Sequence, residues 1–100
     1  MIARVYYFTK DFLNALLGGT PQTRKEFERY YRKLCEIEGN SLTLEDIFFA
    51  LNTNEHLQEL LQFKAVVIGH TSMCVGDIVE MDGKYFICRS IGWEEIFFEK

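Results

Sequence analysis

His70, Thr71, Ser72 and Met73 set an imidazole beside two hydroxyls, the residue types that nucleophilic catalysis draws on. That chemistry needs a base hydrogen-bonded to the nucleophile, a group orienting the base, and an oxyanion site. Here only the residue types are present, and no Gly-x-Ser-x-Gly elbow surrounds Ser72. The competing reading is a polar loop, His70 to Asp77, whose side chains bond their own backbone and lead into a strand at Asp77. His70 and Cys74, with His56 and Cys88, are the candidate metal ligands, but zinc sites show paired ligands at short regular spacings on two segments. One loose pair does not meet that pattern, and Cys88 reads as a small buried apolar residue. The expectation is no catalytic residue, no cofactor and no metal, with His70, Thr71, Ser72, Gly76 and Asp77 serving structure.

Two groups of residues point to binding instead. Lys25, Arg29, Arg32 and Lys33 fall on one face of a helix expected over 23–38, opposite its apolar stripe. Such a patch suits phosphates or an acidic protein surface. Glu28 and Glu36 dilute it, and a solvated face laced with i,i+4 pairs is the favoured reading. The second group is aromatic: Phe49, Trp93, Phe97 and Phe98. Two adjacent phenylalanines in an extended segment point to opposite faces, so one of Phe97 and Phe98 is expected at the surface. Phe49 lies off its helix's apolar stripe and is the other expected anchor for a partner.

These side chains need elements to hold them. Ile2 to Phe8 is β-branched and aromatic and predicts a strand. Thr9 is placed to N-cap a short helix, Lys10 to Leu17, that Gly18 and Gly19 end. Thr23-Arg24-Lys25-Glu26 is a capping box, and Phe27, Tyr30, Tyr31, Leu34 and Cys35 then recur at helical spacing up to Gly39. Thr43 to Asp46 opens a third helix with Leu44, Ile47, Phe48 and Leu51 inward; a further helix is expected from Asn54 to Gln62. Ala65 to Ile68 reads as a buried strand. Asp82-Gly83 is a type I′ hairpin signal that sets Met81 opposite Lys84, Val79 opposite Phe86 and Ile78 opposite Ile87. Both faces of that hairpin carry apolar groups: Val79, Met81, Phe86 and Cys88 on one, Ile78, Tyr85 and Ile87 on the other. Both faces therefore need cover: helices can cover one, and the other needs the C-terminal segment, a curled sheet or a partner.

Three stretches, Leu44 to Asn52, Gly69 to Val79 and Tyr85 to Ile96, together resemble the YodL-like domain in one fixed order. The chain departs from that pattern where Cys74 and Gly76 stand in place of serines, where Arg89 replaces a common aspartate, and over an apparent insertion, Glu55 to Ile68. The resemblance implies a phage, plasmid or integrative-element setting and brings no catalytic activity with it.

Composition frames the rest. With 100 residues, 48% hydrophobic and 15% aromatic, the chain can form one domain with an aromatic-rich core. One proline and no Ser/Gly-rich linker leave no internal boundary, only a strand-plus-helix part over 1–62 and a strand, loop and hairpin part over 63–100. A net charge of −4 disfavours a general nucleic-acid binder. No apolar run is long enough to span a bilayer. The N-terminal stretch reads as a strand and not a signal peptide, and three cysteines without CxxC spacing suit reduced thiols, so a cytoplasmic location is expected. The fold expected is α+β, a small, mainly antiparallel sheet with several helices packed on one face. The function expected is a non-enzymatic protein-interaction module, an accessory protein docking on a host or element-encoded protein. Nucleic-acid binding through the basic helix is the alternative, and homodimerisation is compatible with both.

Overall fold

The computed structural model describes residues 1–53 and 73–98. The expected helix at Asn54 to Gln62, the strand at Ala65 to Ile68, and His56, His70, Thr71 and Ser72 lie outside the described residues. In chain order come β1 (Ile2–Phe8), a 3-10 segment (Lys10–Leu17), α1 (Arg24–Tyr30), β2 (Tyr31–Glu38), α2 (Leu44–Thr53), β3 (Ile78–Met81), β4 (Lys84–Cys88) and β5 (Trp93–Ile96).

The strands form one antiparallel sheet in the order β2-β1-β3-β4-β5. The β3–β4 hairpin has the register its turn dictates: Met81 faces Lys84, Val79 faces Phe86 and Ile78 faces Ile87. Asp82 (φ 52°) and Gly83 (φ 78°) supply the two left-handed residues a type I′ turn requires. β1 lies between β2 and β3, so the two ends of the chain share one sheet.

The segment 31–38 corrects the sequence reading. The helix begins as expected, with Thr23 Oγ1 accepting from Glu26 N at 3.1 Å, but it ends at Tyr30. Tyr31 is extended (φ −118°, ψ 149°), and the chain continues as β2 along β1 from Phe8↔Tyr31 to Ile2↔Glu38. The spacing of Phe27, Tyr31 and Leu34 suits a helix, and all three are buried in the strand arrangement too. Cys35-Glu36-Ile37-Glu38 alternates at period two, and that pattern matches the observed in-and-out burial. A seven-residue helix gains little from propagation, whereas β2 satisfies a full edge of β1. The ladder shifts register between Val5 and Tyr6, which brings Leu34 and Cys35 onto the same core.

Helices cover both faces of the sheet, not one. Alternate residues of β1 divide between two cores. Ala3, Val5 and Tyr7 join Val79 and Met81 under Ile47 and Leu51 of α2. Phe8 joins Ile78, Ile87 and Ile96 against Ala15 of the 3-10 segment and Phe27 of α1. The 3-10 segment and α1 therefore cover the Ile78 and Ile87 row together with Phe98 of the C-terminal segment. The architecture is α+β with a dominant sheet and few, short helices.

Candidate functional site

The Gly76-Asp77 turn is a structural knot. Asp77 is fully buried at the start of β3. Its Oδ1 accepts from Phe8 N at 3.1 Å and its Oδ2 from Cys74 N at 2.7 Å. The β1–β3 ladder ends at Tyr6↔Ile78, so the carboxylate takes the next backbone N–H of β1. Tyr31 Oη donates to Gly76 O at 2.5 Å. Gly76 has φ +99°, and a Cβ there would lie 2.5 Å from the Ala15 Cβ, which explains why a glycine stands at this position. Burial first, then the Asp77 charge, pushes the Cys88 thiol up to about 11 and raises the Cys74 thiol too. The same two causes raise the Tyr7 and Tyr31 phenols far above their ordinary range.

The four basic residues do not share a helix face. Lys25 and Arg29 are on α1, whereas Arg32 and Lys33 are on β2. Arg32 folds back to donate to the carbonyls of Glu28, Arg29 and Tyr31, closing the helix's C-terminal end. Lys33 pairs with Glu36 at 2.8 Å. The basic helix face on which the nucleic-acid alternative rested is absent, because the helix stops before half of its charges. Arg24, beside these four, donates to Tyr85 Oη at 3.0 Å and lies over the Tyr85 and Phe98 rings. No local sequence signal marks that contact, which spans 61 positions.

The aromatic candidates divide. Phe98 is committed to a seam of rings, 5.1 Å from both Phe27 and Tyr85. Phe97 points the other way and is 79% exposed. Phe49 is 68% exposed on α2, and Phe48, expected inward, is also at the surface at 38%. The half-buried Trp93 of β5 packs its ring against the α2-side core. Phe48, Phe49 and Trp93 converge on a groove of about 480 Å³, with Glu45, Asn52 and Arg89 at its edges. Sequence reasoning placed Phe49 and Trp93 on binding surfaces but missed Phe48 and Ile91, the latter 93% exposed in the β4–β5 turn. Arg89 holds that turn: it pairs with Glu94 at 2.9 Å and donates to Thr20 Oγ1 at 2.6 Å and to Gly18 O.

Among the described residues no group of three or more His, Cys, Asp or Glu side chains is placed to hold a metal ion. Among them, too, no helix is long and apolar enough to cross a membrane. No family model matches the chain, and no curated protein or solved structure matches it either.

Proposed function

We propose that this domain is a non-enzymatic interaction module that docks on another protein through the face formed by α2 and β5. The groove lined by Phe48, Phe49 and Trp93 is the observation that carries this reading. Aromatic side chains gathered around a concave surface, with Ile91 exposed in the β4–β5 turn and Phe97 exposed just after β5, are the anatomy of a binding hot spot. The resemblance of 44–52, 69–79 and 85–96 to YodL-like domains supports a mobile-element accessory protein as the setting. The partner is then a host or element-encoded protein.

Site-specific photo-crosslinking tests it. A crosslinking amino acid at Phe49 or Phe97 should capture one and the same protein from the producing cell. The same amino acid at the exposed Leu13, in the 3-10 segment on the opposite face, should not. Identical capture at all three positions, or none at any, overturns the reading.

A further inference from the structure

Among the described residues, β5 ends the sheet on one side and β2 on the other. The hydrogen bonding fixes which backbone groups of β5 face outward. Cys88 spends both of its backbone groups on the β3 side, its N–H on Asp77 O and its carbonyl on Gly76 N. Trp93, which lies opposite Cys88, therefore turns its own N–H and C=O away from β4. By the same alternation Glu94 and Ile96 bond to β4 while Glu95 faces outward, and Phe97, the residue after β5, would continue that row. Alternation puts the side chains of Trp93, Glu95 and Phe97 on one face, where Trp93 lines the docking groove and Glu95 and Phe97 line a second cavity with Arg24 and Lys84.

The two edges are built differently. β2 carries Arg32, Lys33, Glu36 and Glu38 exposed, charges of both signs, and its register shift bends it away from flat pairing. β5 carries only glutamates, Glu94 and Glu95, both exposed, between Trp93 and Phe97. Glu94 already holds Arg89. No ion-pair contact within 4.0 Å engages Glu95 among the described residues.

We infer that the outer edge of β5 accepts an extended peptide strand from a protein partner, with a Lys or Arg opposite Glu95 and apolar residues opposite Trp93 and Phe97. In an antiparallel ladder those partners recur at every second residue, giving the pattern apolar-x-basic-x-apolar. The backbone row supplies the ladder bonds, Trp93 and Phe97 supply apolar cross-strand contacts, and Glu95 sets the charge. A second copy of the chain is a poor occupant. Two-fold pairing centred on the strand sets two Glu94 or two Glu95 carboxylates directly opposite each other, and like charges so placed are destabilising. The net charge of −4 adds to that repulsion and favours a basic segment. This inference rests on the docking reading and names the partner's chemistry.

The test is an NMR titration of the full 100-residue chain with the peptide acetyl-Thr-Ile-Thr-Arg-Thr-Ile-Thr-amide. Controls carry Glu in place of the Arg, or N-methyl groups on the two Ile amides. Saturable amide shifts at Trp93, Glu95 and Phe97 are expected with the Arg peptide. Binding should weaken about tenfold with the Glu peptide and vanish with the N-methylated one. Glu95→Lys, at an exposed site that leaves the spectrum otherwise unchanged, should reverse the charge preference. Equal affinity for the Arg and Glu peptides, or no shift at those amides at millimolar peptide, overturns the inference. If photo-crosslinks at Phe49 still capture a protein that the Arg peptide does not displace, the docking reading stands and the β5 strand falls. If the Arg peptide binds β5 while crosslinking captures nothing, the strand site stands and the docking reading falls.

Discussion

Thr9 has a hydroxyl that the fold buries and leaves without a hydrogen-bond partner among the described residues. It stands at the N-cap position of the 3-10 segment, yet its side chain caps nothing; only its carbonyl accepts, from Phe12 N. The segment explains this, since it is a pair of 3-10 turns broken at Phe12 and offers no α-helical N3 amide. Removing an unpaired buried hydroxyl while keeping the shape costs little or gains, so Thr9→Val should leave stability unchanged or raise it by about 1 kcal/mol in urea unfolding. Asp77 is the opposite case. Asp77→Ala strands two backbone amides, Phe8 N and Cys74 N, and should cost about 3 kcal/mol or more by the same measurement. The buried thiol and phenols around Asp77 give the fold an alkaline limit. A free cysteine loses its proton near 9.0 and Cys88 near 11, so the unfolded chain ionises first as pH rises. Stability is then complete below the unfolded value and falls as pH climbs towards the folded one, with Tyr7 and Tyr31 extending the loss upward. Unfolding midpoints should drop between about pH 8 and about pH 10.5, and a flat profile there would contradict the burial of these groups.

The elements differ in how much of their form is local. α2 opens with a reciprocal cap, Asp46 N donating to Thr43 Oγ1 and Thr43 N to an Asp46 carboxylate oxygen, both at 3.1 Å. That signal lies within four residues, and both the helix and the outward placement of Phe49 were legible from it and from the spacing of Ile47 and Leu51. The hairpin was legible for a similar reason, since Asp82-Gly83 fixes the register by backbone geometry alone. β2 was not. Its residues carry a helical spacing through Leu34 and a strand alternation after it, and the choice belongs to β1, which lies about thirty residues earlier in the chain. An excised peptide spanning 23–38 should therefore show helical chemical shifts running past Tyr30, towards Leu34. The same residues in the intact chain should show strand shifts. Strand shifts in the free peptide would mean that β2 is encoded locally.

For the molecule as a whole, the two-sided sheet separates stability from binding. The central strands are buried on both faces, with Val5, Tyr7, Ile78, Val79 and Ile87 fully enclosed, and these carry the fold. Phe49 and Phe97 sit outside both cores with most of their area in water. Phe97→Glu should shift stability by no more than about 0.5 kcal/mol in denaturant unfolding. The same variant should lose the crosslinked partner. A large loss of stability would mean that this surface belongs to the core and not to a partner.

The sequence by itself determined the features that depend on a few neighbouring residues: the strand at Ile2 to Phe8, the caps at Thr23 and Thr43, the hairpin register, the opposed directions of Phe97 and Phe98, and an apolar hairpin needing cover on both sides. Tertiary structure alone decided that residues 31–38 are a strand, that helices cover both faces, and that the basic residues divide between two elements. It also decided that Glu95 lies, among the described residues, on the edge strand of the sheet between Trp93 and Phe97. The physical reason is range: caps and turns are satisfied within four residues, whereas a strand's hydrogen bonds and a sheet's second face are satisfied by segments far away in the chain.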